Sequence, residues 1–123
     1  MANTQIKYPR RGEIYLVRLD PTEGAESRKI RPAIIVQNDI SNQYSPLTVV
    51  IPLSNYKTDD KIYPTETLIP AGQSGLANDS IAMANQIRAL DKNRLLKKLG
   101  MLDSIRLELI DRTLLVTLGL FRF

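Results

Sequence analysis

Residues 31–54 read RPAIIVQNDISNQYSPLTVVIPLS, and the fold is decided there. Two apolar, β-branched runs, Ala33–Gln37 (AIIVQ) and Leu47–Leu53 (LTVVIPL), flank a polar, turn-rich stretch from Asn38 to Pro46. Neither run alternates apolar with polar, so each reads as a strand buried on both faces. Pro52 lies inside the second run, which predicts that the strand ends or bulges there and hands over to a loop at Ser54.

Working towards the N-terminus, Asp20–Ile30 is a charged loop preceded by a strand over Glu13–Leu19. Alternation sets Ile14, Leu16 and Arg18 on one face of that strand, and Tyr15, Val17 and Leu19 on the other. The Pro9-Arg10-Arg11-Gly12 turn leads into it. Towards the C-terminus, Asn55–Pro64 is a polar loop. Thr65–Ile69 and Ser80–Met83 are short strands about a Gly72–Gly75 turn, and Gln86–Leu90 continues as a strand or the exit from one. Asp91 can cap a short helix over Lys92–Leu99 that stops at Gly100, and Asp103 a longer one running to about Leu118. Short strands followed by C-terminal helices predict an α+β domain built on a small barrel.

The last helix carries two apolar stripes. Leu107, Ile110, Leu114 and Leu118 form one; Ile105, Leu109 and Val116 lie nearly opposite. A helix on one sheet needs a single stripe. The second is to be covered by the chain's own first helix or by another subunit, and the small interior of a chain this size favours a homodimer.

The chain has 123 residues, no cysteine, no histidine and no tryptophan. That length suits one domain over residues 1–123. Without cysteine there is no disulfide framework or thiolate nucleophile, and without histidine no imidazole acid–base chemistry and no ordinary zinc site. No cofactor and no metal are expected. No apolar run is long enough for a bilayer and the N-terminus lacks a signal-peptide core, so the expectation is a cytoplasmic protein with no membrane partner. Charge is uneven. Residues 1–31 hold seven basic and four acidic groups, residues 32–86 two and five, and residues 87–123 eight and four. If the two basic ends meet, they form a surface suited to a polyanion.

Four features could carry chemistry. Arg31 stands where the charged loop becomes a buried strand, held extended by Pro32, with Arg28 and Lys29 beside it. Its planar fork can clamp a phosphate, or simply pair with Glu23 or Glu26. Ser54, at the end of the second buried run, can donate to a phosphoryl oxygen or merely form a turn. Glu26 can take a proton near a clamped phosphate or be a solvated loop carboxylate. Gln86 and Arg88 share a face and offer an amide and a cation to bases or phosphates, or line an edge strand. Tyr44 and Tyr56 fall in loops and can stack on bases.

Four blocks in order, RRGEIYLVRLDPTEGAE, RPAIIVQND, TVVIPLS and QIRALDKNRL, resemble the MazF/PemK family of toxin endoribonucleases, from Arg10 through the C-terminal helix. The resemblance implies an SH3-like twisted β-barrel with a C-terminal helix, assembled as a homodimer. It implies metal-independent, sequence-specific cleavage of single-stranded messenger RNA. The 2′-hydroxyl attacks the adjacent phosphorus, leaving a 2′,3′-cyclic phosphate and a 5′-hydroxyl. By the same resemblance Arg31 is the phosphate clamp and a candidate general acid, Ser54 replaces the family's usual threonine, and Glu26 is the loop carboxylate. Gln86 and Arg88 match the family pattern and are implied in RNA binding; Arg28 and Lys29 depart from it, replacing the usual small residues, and are further RNA-binding candidates that can add nonspecific affinity or reshape access to the site. Asn38, in the Asn38–Pro46 loop, and Tyr44 and Tyr56 join them, because that loop and Asn55–Pro64 are the expected seats of specificity. Many members carry an acid immediately before the glutamine; Asn85 stands there and cannot take a proton, which leaves Glu26 as base. The implied partner is a cognate antitoxin with an acidic, disordered tail. A gyrase-directed toxin of the CcdB type is the rival reading, and it lacks the Arg31–Ser54 pairing. A family member that binds RNA without cutting it is a further one, kept open by Ser54 and Asn85.

Overall fold

The computed structural model describes residues 8–19, 30–72 and 74–120. Its elements are β1 (Glu13–Arg18), β2 (Ile30–Ile35), α1 (Asp39–Tyr44), β3 (Leu47–Asn55), β4 (Glu66–Ile69), β5 (Ser80–Met83), β6 (Arg88–Asp91), β7 (Leu95–Met101) and α2 (Ser104–Thr117). Every pairing is antiparallel. Among the described residues no helix is long and apolar enough to cross a membrane.

Strand β3 organises the sheet. One edge pairs with β2; the other pairs with β6 over Leu47–Val50 and then with β5 over Leu53–Asn55. Pro52 therefore does not end the strand, contrary to the sequence expectation. It sits in the gap between the two partners, where its missing N–H removes no ladder bond on that edge. Beyond β2 come β1 and then β7, while β4 lies outside β5.

The path β6-β3-β2-β1-β7 ends in two strands separated in the chain only by the 3-10 turn Lys92–Arg94. Five flat strands would hold those ends about 19 Å apart. Four residue steps reach at most about 14 Å. The sheet must curl. One cluster (Val17, Ala33, Ile35, Val50 and Leu90, with Tyr15 and Leu95 against it) fills one face. On the other face Ile14, Ile34, Ile51, Leu53 and Ile69 pack with Ile110 of α2. This two-sided burial is why β2 and β3 show no alternation.

Three local expectations are corrected. The Lys92–Leu99 helix is absent: Asp91 caps only the 3-10 turn, accepting from the Asn93 N–H at 2.8 Å, and β7 follows. Leucine and lysine favour helix only weakly, and pairing along β1 outweighs that preference. Gly100 is a strand residue rather than a helix stop. A Cβ there would collide with the Ser74 carbonyl, and one at Gly75 with the Leu99 carbonyl, so two backbones touch where both residues lack side chains. The Asn38–Pro46 stretch contains a helical turn. Asn38 caps it by accepting from the Ser41 N–H at 2.8 Å, and the fully buried Asn42 accepts from Thr48 Oγ1 at 2.7 Å and donates to the Gln37 carbonyl at 2.9 Å.

Asp103 caps α2 as expected, accepting from the Arg106 N–H at 2.8 Å. The helix is rolled further than the stripes suggest. Ile110 is buried, with Leu107 and Leu114 packed on the core, but Leu118 is 54% exposed and Thr113 is buried instead. The Thr113 hydroxyl donates to the Leu109 carbonyl at 2.9 Å, so Thr67 supplies the proton of the 2.6 Å bond between the two hydroxyls. The second stripe faces outward, with Ile105 67% and Leu109 45% exposed.

Candidate active site

The pairing of β2 with β3 sets Ala33 opposite Pro52. Continuing that register by two residues puts Arg31 opposite Ser54, on the same face. Both line a cleft of about 390 Å³ with Pro32, Asn55 and Ser80. The two residues singled out in the sequence thus meet across neighbouring strands, each half-buried. Arg31 is also pinned from the other side, opposite Val17 of β1. Among the described residues no carboxylate lies within ion-pair distance of its guanidinium.

Gln86 reaches the same neighbourhood. The 3-10 turn Ala84–Gln86 follows β5, and Gln86 Nε2 donates to Met83 Sδ at 3.5 Å. Ser54 Oγ donates to the same sulfur at 3.7 Å. Met83 therefore joins two predicted site residues, and sequence reading missed it. Its position three before Gln86 was visible; nothing in the sequence marked its sulfur as an acceptor.

Arg88 stands opposite Val50 on β6, four residues along β3 from Ser54 and exposed. The register keeps it on the face of Arg31 and Ser54, about 13 Å along the strand. Tyr56 lies just past Ser54 at the end of β3; its hydroxyl donates to the Thr58 carbonyl at 3.2 Å, and its N–H to the Asp79 carbonyl at 2.9 Å. Asn38 and Tyr44 are not brought to this cleft within the chain. They flank α1 at the other end of the β2–β3 hairpin, where the Asn38 side chain is the cap and Tyr44 is exposed. Glu26, Arg28 and Lys29 lie outside the described residues, as does Glu23.

A larger cleft, about 770 Å³, opens beside β1 and is lined by Arg10, Arg11, Glu13, Tyr15, Lys92 and Lys98 among others. Its cations are largely answered locally. Glu13 is buried and accepts from the Arg10 backbone N–H at 2.8 Å and from Lys98 Nζ at 2.9 Å, while Arg11 pairs with Asp111 of α2 and the Arg10 guanidinium lies over the Tyr8 ring. Burial, and then the Glu13 carboxylate, push the Tyr15 hydroxyl up to about 12. The β1–β7 pairing sets Lys97 and Lys98 opposite Leu16 and Tyr15, so the two basic ends of the chain do meet.

Comparison with known proteins bears on the family and the fold. Residues 10–118 match the model of the family described as PemK-like, MazF-like toxin of type II toxin-antitoxin system. The chain belongs to the PemK/MazF toxin family. The endoribonuclease MazF of Staphylococcus saprophyticus is 40% identical over 111 residues, spanning 90% of this chain and 92% of that one. In fold the chain resembles a MazE–MazF structure from Deinococcus radiodurans, with a TM-score of 0.76 and 23% identity over 94% of this chain and 100% of that one. It likewise resembles a mycobacterial endoribonuclease in complex with its cognate antitoxin, with a TM-score of 0.74 and 24% identity over 94% of this chain and 99% of that one. A small antiparallel sheet with a C-terminal helix is the shared architecture. Membership in this family decides against the gyrase-directed alternative.

Proposed function

We propose that this chain, an endoribonuclease toxin of the MazF type, cuts single-stranded messenger RNA at a short sequence without a metal, using the cleft between Arg31 and Ser54. The observation that carries this reading is the meeting of those two residues in one cleft. The substrate's 2′-oxygen attacks the adjacent phosphorus. Its proton passes to Glu26, the 2′-O–P bond forms, and the P–O5′ bond breaks to leave a 2′,3′-cyclic phosphate. The attack is intramolecular, so the protein's task is orientation and charge stabilisation. Arg31 answers the charge gathering on the phosphoryl oxygens, and Ser54 donates a hydrogen bond to one of them. The leaving 5′-oxygen takes its proton from water, since a guanidinium at neutral pH serves as a cation far better than as an acid.

Gln86 and Arg88 extend the donor face along the RNA, with Arg28 and Lys29 as further cations and Tyr56 at the rim. Asn38 and Tyr44, remote within one chain, take part through the second copy of a homodimer. The exposed Ile105 and Leu109 on α2 support that assembly, and the curled sheet supports an SH3-like barrel as one domain. A cognate antitoxin with an acidic tail is the inhibitory partner, attracted by the charge that attracts RNA. The cytoplasm is the place of action.

The test is cleavage by the purified chain in excess EDTA, with end-group analysis. Cyclic-phosphate ends that disappear in Arg31→Ala support the reading. Activity lost in EDTA and restored by Mg²⁺ would defeat the metal-free part.

A further inference from the structure

We propose that Met83 is a positioning residue for this site: its thioether holds the Ser54 hydroxyl and the Gln86 carboxamide at the cleft and releases both to an anionic oxygen of the substrate. The inference rests on the proposed Arg31–Ser54 site and deepens it.

The placement follows from the strand register. Ser54 lies opposite Ile81 on β5, so Met83, two residues on, is its diagonal neighbour on the same face. Such neighbours are within reach of a long side chain, and methionine has the torsional freedom to use that reach. The 3-10 turn that begins at Ala84 then folds Gln86 back over the sulfur. Two neutral donors thus converge on one acceptor, at 3.7 Å from Ser54 Oγ and 3.5 Å from Gln86 Nε2.

The chemistry of the acceptor matters. A serine hydroxyl rotates freely, and among the described residues the sulfur is the only side-chain group bonded to it. A thioether is a weak acceptor. It directs the two donors but competes poorly with a phosphoryl oxygen, whose negative charge makes a bond roughly twice as strong as a neutral one. A carbonyl or carboxylate at this place would keep the donors for itself, and an alkyl side chain would leave them undirected.

The same sulfur offers a way to change acceptor strength in place. With hydrogen peroxide as oxidant, an S–O bond forms as the O–O bond breaks, the sulfur loses two electrons, and water leaves. The resulting sulfoxide oxygen is a strong acceptor, and sulfoxide reductases reverse the change.

The experiment measures single-turnover cleavage of a long, structure-poor RNA at its strongest cut. Both the rate at saturating protein and the protein concentration giving half that rate are recorded. Met83→Leu conserves volume and is the kind of exchange cores tolerate best. The expected result is a saturating rate lowered about fivefold, with half-saturation little changed. The same exchange in a background that removes both donors, Ser54→Ala with Gln86→Ala, is expected to have no further effect, because residues that act as a unit are not additive. Peroxide treatment, with oxidation at Met83 read by peptide mass, is expected to slow the unsubstituted chain in proportion to Met83 sulfoxide and reversibly with a sulfoxide reductase; an unchanged rate with Met83 oxidised overturns its role. This arm keeps the idea testable should the substitution impair folding. An impaired Ser54→Ala combined with a silent Met83→Leu, or with the same loss in both backgrounds, overturns the role of Met83 and leaves the site standing. A fully active Ser54→Ala overturns the site reading, and this inference with it.

Discussion

Arg31 owes its place to three separate constraints: Pro32 keeps its backbone extended, Val17 faces it on β1, and the β2–β3 register aligns it with Ser54. These constraints fix the backbone that carries the guanidinium, and the proposed role of Arg31 is to meet the charge of a developing dianion. Arg31→Ala is expected to abolish cleavage with the protein still folded, and Arg31→Lys to recover little, because the planar fork is lost. Ser54→Ala should lower the saturating rate about a hundredfold, the usual cost of one oriented donor. Ser54→Thr should preserve or raise activity, since the added methyl restricts the rotamer. Single-turnover kinetics check all four. Tyr15 makes a prediction on stability. Its hydroxyl is raised from 10.0 to about 12, so the folded state keeps a proton that the unfolded chain has released. Stability from this source is present below pH 10 and falls as pH rises towards about 12. Tyr15→Phe should flatten that alkaline decline, as read by denaturant midpoints across the range.

At the scale of elements, the sheet rests on contacts between backbones as much as between side chains. Gly100→Ala places a methyl group against the Ser74 carbonyl. A loss of about 2 kcal/mol is expected, seen as a lower urea midpoint with unchanged slope. On α2, replacing Leu109 and Val116 by Glu should yield monomers by light scattering if the outward apolar face joins two copies. A stable dimer would remove that role from the helix. What could be read from the sequence divides along physical lines. β1, β2 and β3 were legible because β-branched density reports burial directly, and α2 because Asp103 and a periodic apolar face both mark a helix. β7 was not, since LLKKLGM carries a helical bias that only pairing with a distant strand overturns. Pro52 misled in the same way: its harmlessness depends on a change of partner strand that no local pattern encodes. Arg31 and Ser54 were legible as candidates, and their meeting was a consequence of register. The Met83 contacts were invisible because a thioether's role depends on which donors surround it.

Across the molecule, the basic N-terminal and C-terminal segments join where β1 pairs with β7, while β3, β4 and β5, with Ser54 among them, belong to the acidic middle of the chain. A field of this kind raises the rate at which polyanions arrive and is screened by salt. RNA cleavage below saturation should therefore slow steeply with ionic strength, while the saturated rate changes little; equal sensitivity of both would place the salt effect in the chemistry instead. The same field would serve an acidic antitoxin tail, giving substrate and inhibitor overlapping ground. The central claim is that the cleft between β2 and β3 presents a metal-independent, RNA-cutting site built on Arg31 and Ser54. The most direct measurement is to incubate the purified chain with a long, structure-poor RNA in EDTA, beside an Arg31→Ala control, and to map every cut by primer extension. The account predicts discrete cuts at one short motif, ending in cyclic phosphates and absent from the control. No cuts from a folded protein, or the same cuts from Arg31→Ala, would contradict it.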